Sequence, residues 1–439
     1  MNKDSFAYVS ARDLRIGLFV DLELGWIDHP FASGRFKISS DEQIRVLKGL
    51  AADRFRFVPS RSEWSEAVGA SPSEVQEESL ATNLYALGRD QKVQQLRMQR
   101  QQAVALQQEG LADCERRFTD TARQYHHTLD LLHSQPIEAA RVAQQVVQQL
   151  VVDIEQQGDS ALRLLNDSAA DKVALHPVNV TVISLLLGQA LGLQDLALKD
   201  LGLAAFLHDV GKCDLPERLR RPDDTFSTVE RNAYQSHVEN SVRLAQAMGL
   251  SQGAIQAVAQ HHELADGSGF PQHLKLDAIG MGARILALVN RYDGLCNPAK
   301  PSHAMTPHEA LATIFSQQKK RFDPHVLSAF VRMVGVYPPG SLVQLNDERH
   351  AMVVGVNAAR PLKPRVIVHE PGTPRHEALI LDLEGVANAG IRRSVKPESL
   401  STAAQEYLQP RQRLCYFLET AIGPVPAEKV SANATGPAS

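Results

Sequence analysis

The sequence predicts a mainly α protein: a helical bundle with a small α+β module ahead of it and a small antiparallel β cap behind it. Three observations carry this reading. Residues 177–191 and the run LAAFL at 203–207 are apolar almost all round, as helices buried inside a bundle are. Pro136 to Gln157 starts with a helix-opening proline and shows one apolar face of Val142, Val146, Val147, Leu150 and Val151. Both ends of the chain instead alternate apolar and polar residues in short β-branched runs broken by turn residues.

Residues 1–66 form the first unit. VSARDLRIGLFVDLEL reads as strands, HPFASGRFKI as turn and strand, and SSDEQIRVLKGL as a capped short helix. Trp26, His29 and Phe31 read as packing residues, with a sensory or docking surface as the alternative. Residues 71–134 are rich in Gln, Arg, Glu and Ala, with apolar Val93, Leu96, Val104, Leu106 and Leu111 too irregularly spaced for a heptad seam. Gly110 weakens a continuous rod, so a solvated helical linker is expected, and a homodimer formed through it is the alternative. Residues 136–337 are the helical domain, opened by 136–157. In 338–419 the runs SLVQLNDERHAMVVGVNAARPLKPRVIVHE and ALILDLE read as strands of the cap, and 420–439 read as a disordered tail.

With 439 residues and 44% apolar content the chain can bury a large core. No uncharged apolar run of about 18 residues occurs, and MNKDSFAYVS lacks a signal-peptide core, so a cytoplasmic protein is expected. Cys114, Cys213, Cys296 and Cys415 are scattered without CxxC spacing and read as reduced thiols. A net charge of −4 gives no argument for a DNA or RNA polymer or a membrane as partner.

The chemistry concentrates in HDVGK, from His208 to Lys212, and HHELADGSGFP, from His261 to Pro271. His237 lies between them and His176 upstream. An adjacent His-Asp pair offers an imidazole and a carboxylate that two ions can share, and this donor mixture suits Mn, Fe or Zn rather than Ca or Mg. Pro177 biases His176 away from helical geometry and toward an N-cap, where by local pattern alone it reads as a capping or core histidine. LAAFLHDVGK reads as a buried helix ended by Gly211, with His208 and Asp209 at its end. Lys212 then stands where it can bind a phosphate oxygen. His261 and His262 point about 100° apart on a helix, and so reach different ions or different sides of one. In the loop that follows, Gly267 and Gly269 permit close approach to a substrate.

In order, HPVNVTVISLLLGQALGL, LHDVGKCDLPERLRRP, FSTVE with His237 after it, HHELADGSGFP, GARILALVNRYDGL and FDPHVLSAFVRMVGVYPPG resemble the HD-GYP family of cyclic di-GMP phosphodiesterases, a branch of the HD superfamily, over about residues 170–345. The segment around WIDHPF resembles a domain of unknown function often found ahead of such enzymes. The resemblance implies an all-helical HD-type bundle and two divalent transition-metal ions, Fe or Mn. It implies cyclic di-GMP as ligand, hydrolysed to pGpG and GMP. The implied metal ligands are His176, His208, Asp209, His237, His261 and His262, with Asp209 and Lys212 catalytic.

The chain departs from the family at several places. Phe270 replaces the tyrosine of GYP, which keeps an aromatic face for guanine and loses the phenolic hydrogen bond. Asn290 stands at the position of a ligand aspartate, so that site is one charge poorer, and Asp293 lies nearly one turn further on. Lys172 replaces the glutamate of three-metal members, so no third ion is expected. The family's ligand-binding arginine has no match. Ala299 aligns with it, and Lys300 is the nearest cation. The departures motivate a second reading, a binding effector or docking scaffold with little turnover, and the N-terminal module is the surface expected to meet a protein partner.

Overall fold

The computed structural model describes residues 6–22, 31, 34–50, 54–63, 79–156, 161–166, 171, 173–221, 225–357, 363–384, 390–410 and 413–419. Strands β1 (Ala7–Ser10), β2 (Phe19–Asp21), β3 (Arg35–Lys37) and β4 (Arg54–Phe57) form an antiparallel sheet in the order β1-β4-β2-β3, with helix α1 (Asp41–Lys48) between β3 and β4. The Ser40 hydroxyl accepts from the Gln43 amide at the start of α1, as the SSDEQ motif predicts. Leu18, Val20, Ile38, Leu47, Leu50 and Phe55 give this module a core of its own. Phe31 packs on Phe36, ring centroids 4.4 Å apart, which agrees with its packing role. Trp26 and His29 lie outside the described residues.

Helix α2 (Ser79–Leu131) runs unbroken through Gly110. It is not simply a solvated linker. Cys114, Phe118, Ala122 and Tyr125, spaced by three or four residues, are buried in the main core together with Leu132. That stripe of one sulfur, two aromatics and an alanine is the apolar face that a count of aliphatic residues passes over. Helix α3 (Pro136–Gln156) packs beside it.

A strand the sequence reading did not anticipate follows, β5 (Ala161–Leu164). The bundle then continues with α4 (Leu175–Ala190), α5 (Asp195–Leu207), α6 (Thr228–Gln235), α7 (His237–Ala247), α8 (Gln252–Gln260), α9 (Met281–Cys296), α10 (Pro307–Gln317) and α11 (Pro324–Val334). Helix α4 is buried almost completely, as its all-round apolar sequence requires, and it packs against both α5 and α9.

The C-terminal strands are β6 (Leu342–Leu345), β7 (His350–Asn357), β8 (Arg365–Val368), β9 (Ile380–Asp382) and β10 (Ile391–Ser394), then helix α12 (Thr402–Leu408) and strand β11 (Tyr416–Glu419). They pair antiparallel in the order β10-β6-β7-β5-β11, with β8 and β9 extending from β7. Because β5 sits between β7 and β11, this sheet is not a separate cap of 338–419. Val343, Met352, Val353, Tyr416 and Phe417 belong to the same core as the bundle. The N-terminal module touches the turn between β6 and β7, where Arg61 Nη2 donates to the Asp347 carbonyl at 2.7 Å.

Candidate metal centre

Five imidazoles and one carboxylate converge where α4, α5, α7 and α8 begin or end. His176 is in the first turn of α4, which starts at Leu175 after Ala174. It is therefore not the N-cap residue expected from Pro177. At the third helical position a proline loses no hydrogen bond, because the first-turn amides have no acceptor within the helix. His208 closes α5 and Asp209 follows in a non-helical conformation before a 3₁₀ turn, Val210–Asp214. His237 opens α7. His261 closes α8, and His262 lies just beyond it.

Gly211 does not terminate a helix in the left-handed conformation. It lies inside the 3₁₀ turn, and a Cβ there would come within 3.0 Å of the His237 carbonyl, the Ser241 amide and Asn240. The Gly211 amide donates to Ser241 Oγ at 2.9 Å. Backbone-to-backbone packing of this turn on α7 thus brings His237 to Asp209. We expect Gly211→Ala to push the two segments apart, to destabilise the protein by about 2–3 kcal/mol, and to lower its metal content. Parent-like thermal melting and metal content in that variant would contradict this account.

Backbone carbonyls fix how the rings point. His208 Nδ1 donates to the Ala205 carbonyl (2.8 Å), His237 Nδ1 to Tyr234 (2.6 Å) and His261 Nδ1 to Val258 (2.6 Å). His176 Nδ1 donates to Asp293 Oδ2 at 2.6 Å. Each of these four rings therefore presents Nε2, with its lone pair, to the centre. The Nε2 atoms of His176 and His208 stand 3.2 Å apart, and those of His237 and His262 3.1 Å apart.

Asp209 divides between two groups. Its Oδ2 lies 3.6 Å from His176 Nε2 and 3.4 Å from His208 Nε2. Its Oδ1 lies 3.4 Å from His237 Nε2 and 3.9 Å from His261 Nε2. Two sets of donors result, His176–His208–Asp209 and Asp209–His237–His261–His262, each close enough to hold an ion. His261 and His262 thus serve one group.

The donors also suit a metal in their protonation and in what they lack. Asp209 Oδ1 and His261 Nε2 are buried without a hydrogen-bond partner, which costs free energy unless a cation meets them. Burial lowers the His237 pKa to about 4 and puts His261 and His262 well below the usual histidine range, so these rings are neutral. Burial alone would raise Asp209. Lys212 and His208 outweigh it and hold the carboxyl well below 3.8, ionised. Neutral imidazole and ionised carboxylate are the ligand forms.

The remaining residues fall around this centre. Lys212 Nζ donates to Asp209 Oδ2 at 2.5 Å and lies 5.4 Å from the centre of the Tyr234 ring. Phe270 stacks on His262 with centroids 4.4 Å apart and rings inclined by 22°. Gly267 has φ +80°, and a Cβ on Gly269 would meet the backbone of His262, Glu263 and Leu264 within 3.0 Å. Both glycines are therefore required by the loop itself, and the close approach at Gly269 is to the backbone that follows the histidine pair. Glu263, which the sequence reading passed over, is buried and accepts from the Gln272 and Leu274 amides, fixing that loop.

Asn290 is half-buried on α9, one turn before Asp293, and its carboxamide makes no hydrogen bond to the described residues. Lys300 is exposed in the segment after α9. Lys172, at the position of the family's glutamate, lies outside the described residues.

A helical bundle carrying this paired His-Asp constellation defines an HD domain, and residues 99–326 match that family. The chain belongs to the HD domain family. Residues 8–143 match a second family, a domain of unknown function (DUF3391). A cyclic di-GMP phosphodiesterase of Pseudomonas aeruginosa is 26% identical over 82% of this chain and 84% of its own length. A cyclic di-GMP phosphodiesterase response regulator of Xanthomonas campestris is 32% identical over 34% of this chain and 39% of its own. Among solved structures, an HDG"Y"P protein from Bdellovibrio bacteriovorus aligns over 74% of this chain and 98% of its own, at 15% identity and a TM-score of 0.40. Among the described residues no helix is long and apolar enough to cross a membrane, and Cys114, Cys213, Cys296 and Cys415 are free thiols.

Proposed function

We propose that this chain is a metal-dependent phosphodiesterase that hydrolyses cyclic di-GMP to linear pGpG and, by a second cleavage, GMP. The observation that carries the reading is the division of Asp209: one oxygen faces His176 and His208, the other His237 and His261. A carboxylate so placed is suited to bridging two divalent ions, Fe or Mn by the donor set. When bound, such ions supply Lewis-acid activation of water and neutralise charge on the phosphodiester. The choice of substrate is supported by the relatives' activity.

The chain's own residues divide the remaining work. Asp209 and the five histidines hold the ions, with Asn290 as a neutral additional ligand. Lys212, already against Asp209, turns its ammonium toward a phosphate oxygen and offsets charge that develops in the displacement. Phe270 gives an aromatic face to a guanine, with Gly267 and Gly269 shaping the wall and Lys300 a more distant cation for phosphate. The N-terminal module is the surface for a protein partner, the first half of α2 is where a homodimer would form, and the protein works in the cytoplasm.

A second reading, a cyclic di-GMP effector with little turnover, is favoured by one feature: Asn290 contributes no charge where an aspartate would. Asn290→Asp separates the two. We expect it to tighten metal binding by about tenfold and to raise the rate of pGpG formation at limiting Mn(II). Unchanged metal affinity and rate in that variant would remove Asn290 from the site. Tighter metal binding with still no product would favour the effector.

A further inference from the structure

The metal-facing histidine His176 is connected to the C-terminal strand by a closed set of hydrogen bonds. Asp293, with 0% exposure, accepts from His176 Nδ1 on Oδ2 (2.6 Å). Its Oδ1 accepts from Asn179 Nδ2 (2.8 Å) and Asn297 Nδ2 (2.9 Å). Asn179 lies three residues after His176 and Asn297 four residues after Asp293, so each sits about one turn along from the residue it supports.

Both carboxamides also reach the chain that leads into β11. The Leu414 carbonyl accepts from Asn179 Nδ2 (2.7 Å) and from Asn297 Nδ2 (2.9 Å). In return the Leu414 amide donates to Asn297 Oδ1 (2.8 Å) and the Tyr416 amide to Asn179 Oδ1 (2.9 Å). Strand β11 is the edge of its sheet, paired with β5 on one side only. Its open side needs partners, since alternate residues of an edge present unpaired backbone groups. At its start, at Leu414 and Tyr416, two asparagine side chains supply them, while further along Cys114 and Arg117 of α2 donate to the Leu418 carbonyl.

We infer that Asp293, Asn179 and Asn297 are positioning residues that tie the metal ligand His176 to the C-terminal edge strand, so that the ion held by His176 and His208 depends on that strand. The inference rests on the two-ion reading above. A buried carboxylate is tolerable only with donors on both oxygens, and His176, Asn179 and Asn297 fill those of Asp293. Removing an asparagine leaves Asp293 Oδ1 and the Leu414 carbonyl each one donor short. The imidazole is then free to turn, and a ligand whose outer partner is lost typically binds its metal about 10–100-fold more weakly. Since Arg61 of the N-terminal module is bonded to the β6–β7 turn of the same sheet, His176 is the ligand through which a displaced sheet would reach the centre.

The test uses the full chain, stripped of metal and titrated with Mn(II), with the bound ions counted and the metal-free melting temperature recorded. The parent is expected to take two ions. Asp293→Asn and Asn297→Ala are expected to keep one at parent affinity and to bind the other at least about tenfold more weakly. Asn297 is only half-buried, so it serves if the Asp293 variant does not fold. Two ions at parent affinity in the folded variants would overturn the inference. So would equal weakening of both ions, which would assign the asparagines to general folding. A parent that binds no Mn(II) would refute the two-ion centre itself, a result distinguishable from either.

Discussion

Asp209→Ala is expected to lower cyclic di-GMP hydrolysis by at least about 1000-fold, near 4 kcal/mol of transition-state stabilisation, and to remove both ions. No other residue of the centre is placed to have this double effect. Its Oδ2 serves the His176–His208 group and its Oδ1 the His237–His261–His262 group, whereas each histidine serves one. A histidine substitution such as His208→Ala is therefore expected to cost one ion before the other. Because Asp209→Ala also leaves the Lys212 ammonium without its partner, Asp209→Asn is the companion variant, with the same shape and no charge. Metal content per chain and timed product formation, measured together, decide the matter. Turnover at the parent rate in either variant would show that the reaction occurs elsewhere.

The second large effect is on acid stability of the metal-free protein. The folded-state pKa of His237 is about 4, below the 6.5 of an unperturbed histidine, and His261 and His262 are lowered in the same direction. Between those pH values the unfolded chain binds more protons than the folded one, so stability rises with pH across the window. Stability from these groups is complete above pH 6.5. It is lost as pH falls toward 4. For His237 alone the loss is about 3 kcal/mol, and the two neighbouring rings add to it. Asp209, held well below 3.8, stays ionised throughout and does not set the slope. Urea unfolding of the stripped protein at pH 7 and pH 4.5 measures this directly. A flat stability across that interval would mean that the imidazoles are solvated rather than buried.

What could be read from the sequence was the chemistry that is local. His208–Asp209 and His261–His262 are adjacent pairs, and the apolar helix after His176 announces that these groups face protein rather than water. What could not be read depends on partners far along the chain. Asp293 binds a histidine 117 residues away, and Asn179 binds the Leu414 carbonyl 235 residues away. Neither has a periodic pattern. Strand β5 escaped notice for the same reason, since four residues without their partners β7 and β11 carry little signal. The inward face of α2 is a different case: Cys114, Phe118, Ala122 and Tyr125 have helical spacing, but an apolar pattern counted on aliphatic residues alone does not contain them. Gly211 looked like a helix stop because glycine serves that purpose often. Its actual constraint, the backbone of α7 under 3.0 Å from any Cβ, exists only in the folded chain.

The most direct test of the proposed function is anaerobic purification with metal quantification, followed by a timed cyclic di-GMP assay with Mn(II) or Fe(II) in which pGpG and GMP are resolved. The account predicts two ions per chain and accumulation of pGpG, with GMP after it. Saturable cyclic di-GMP binding by a fully metal-loaded protein that forms neither product would contradict it.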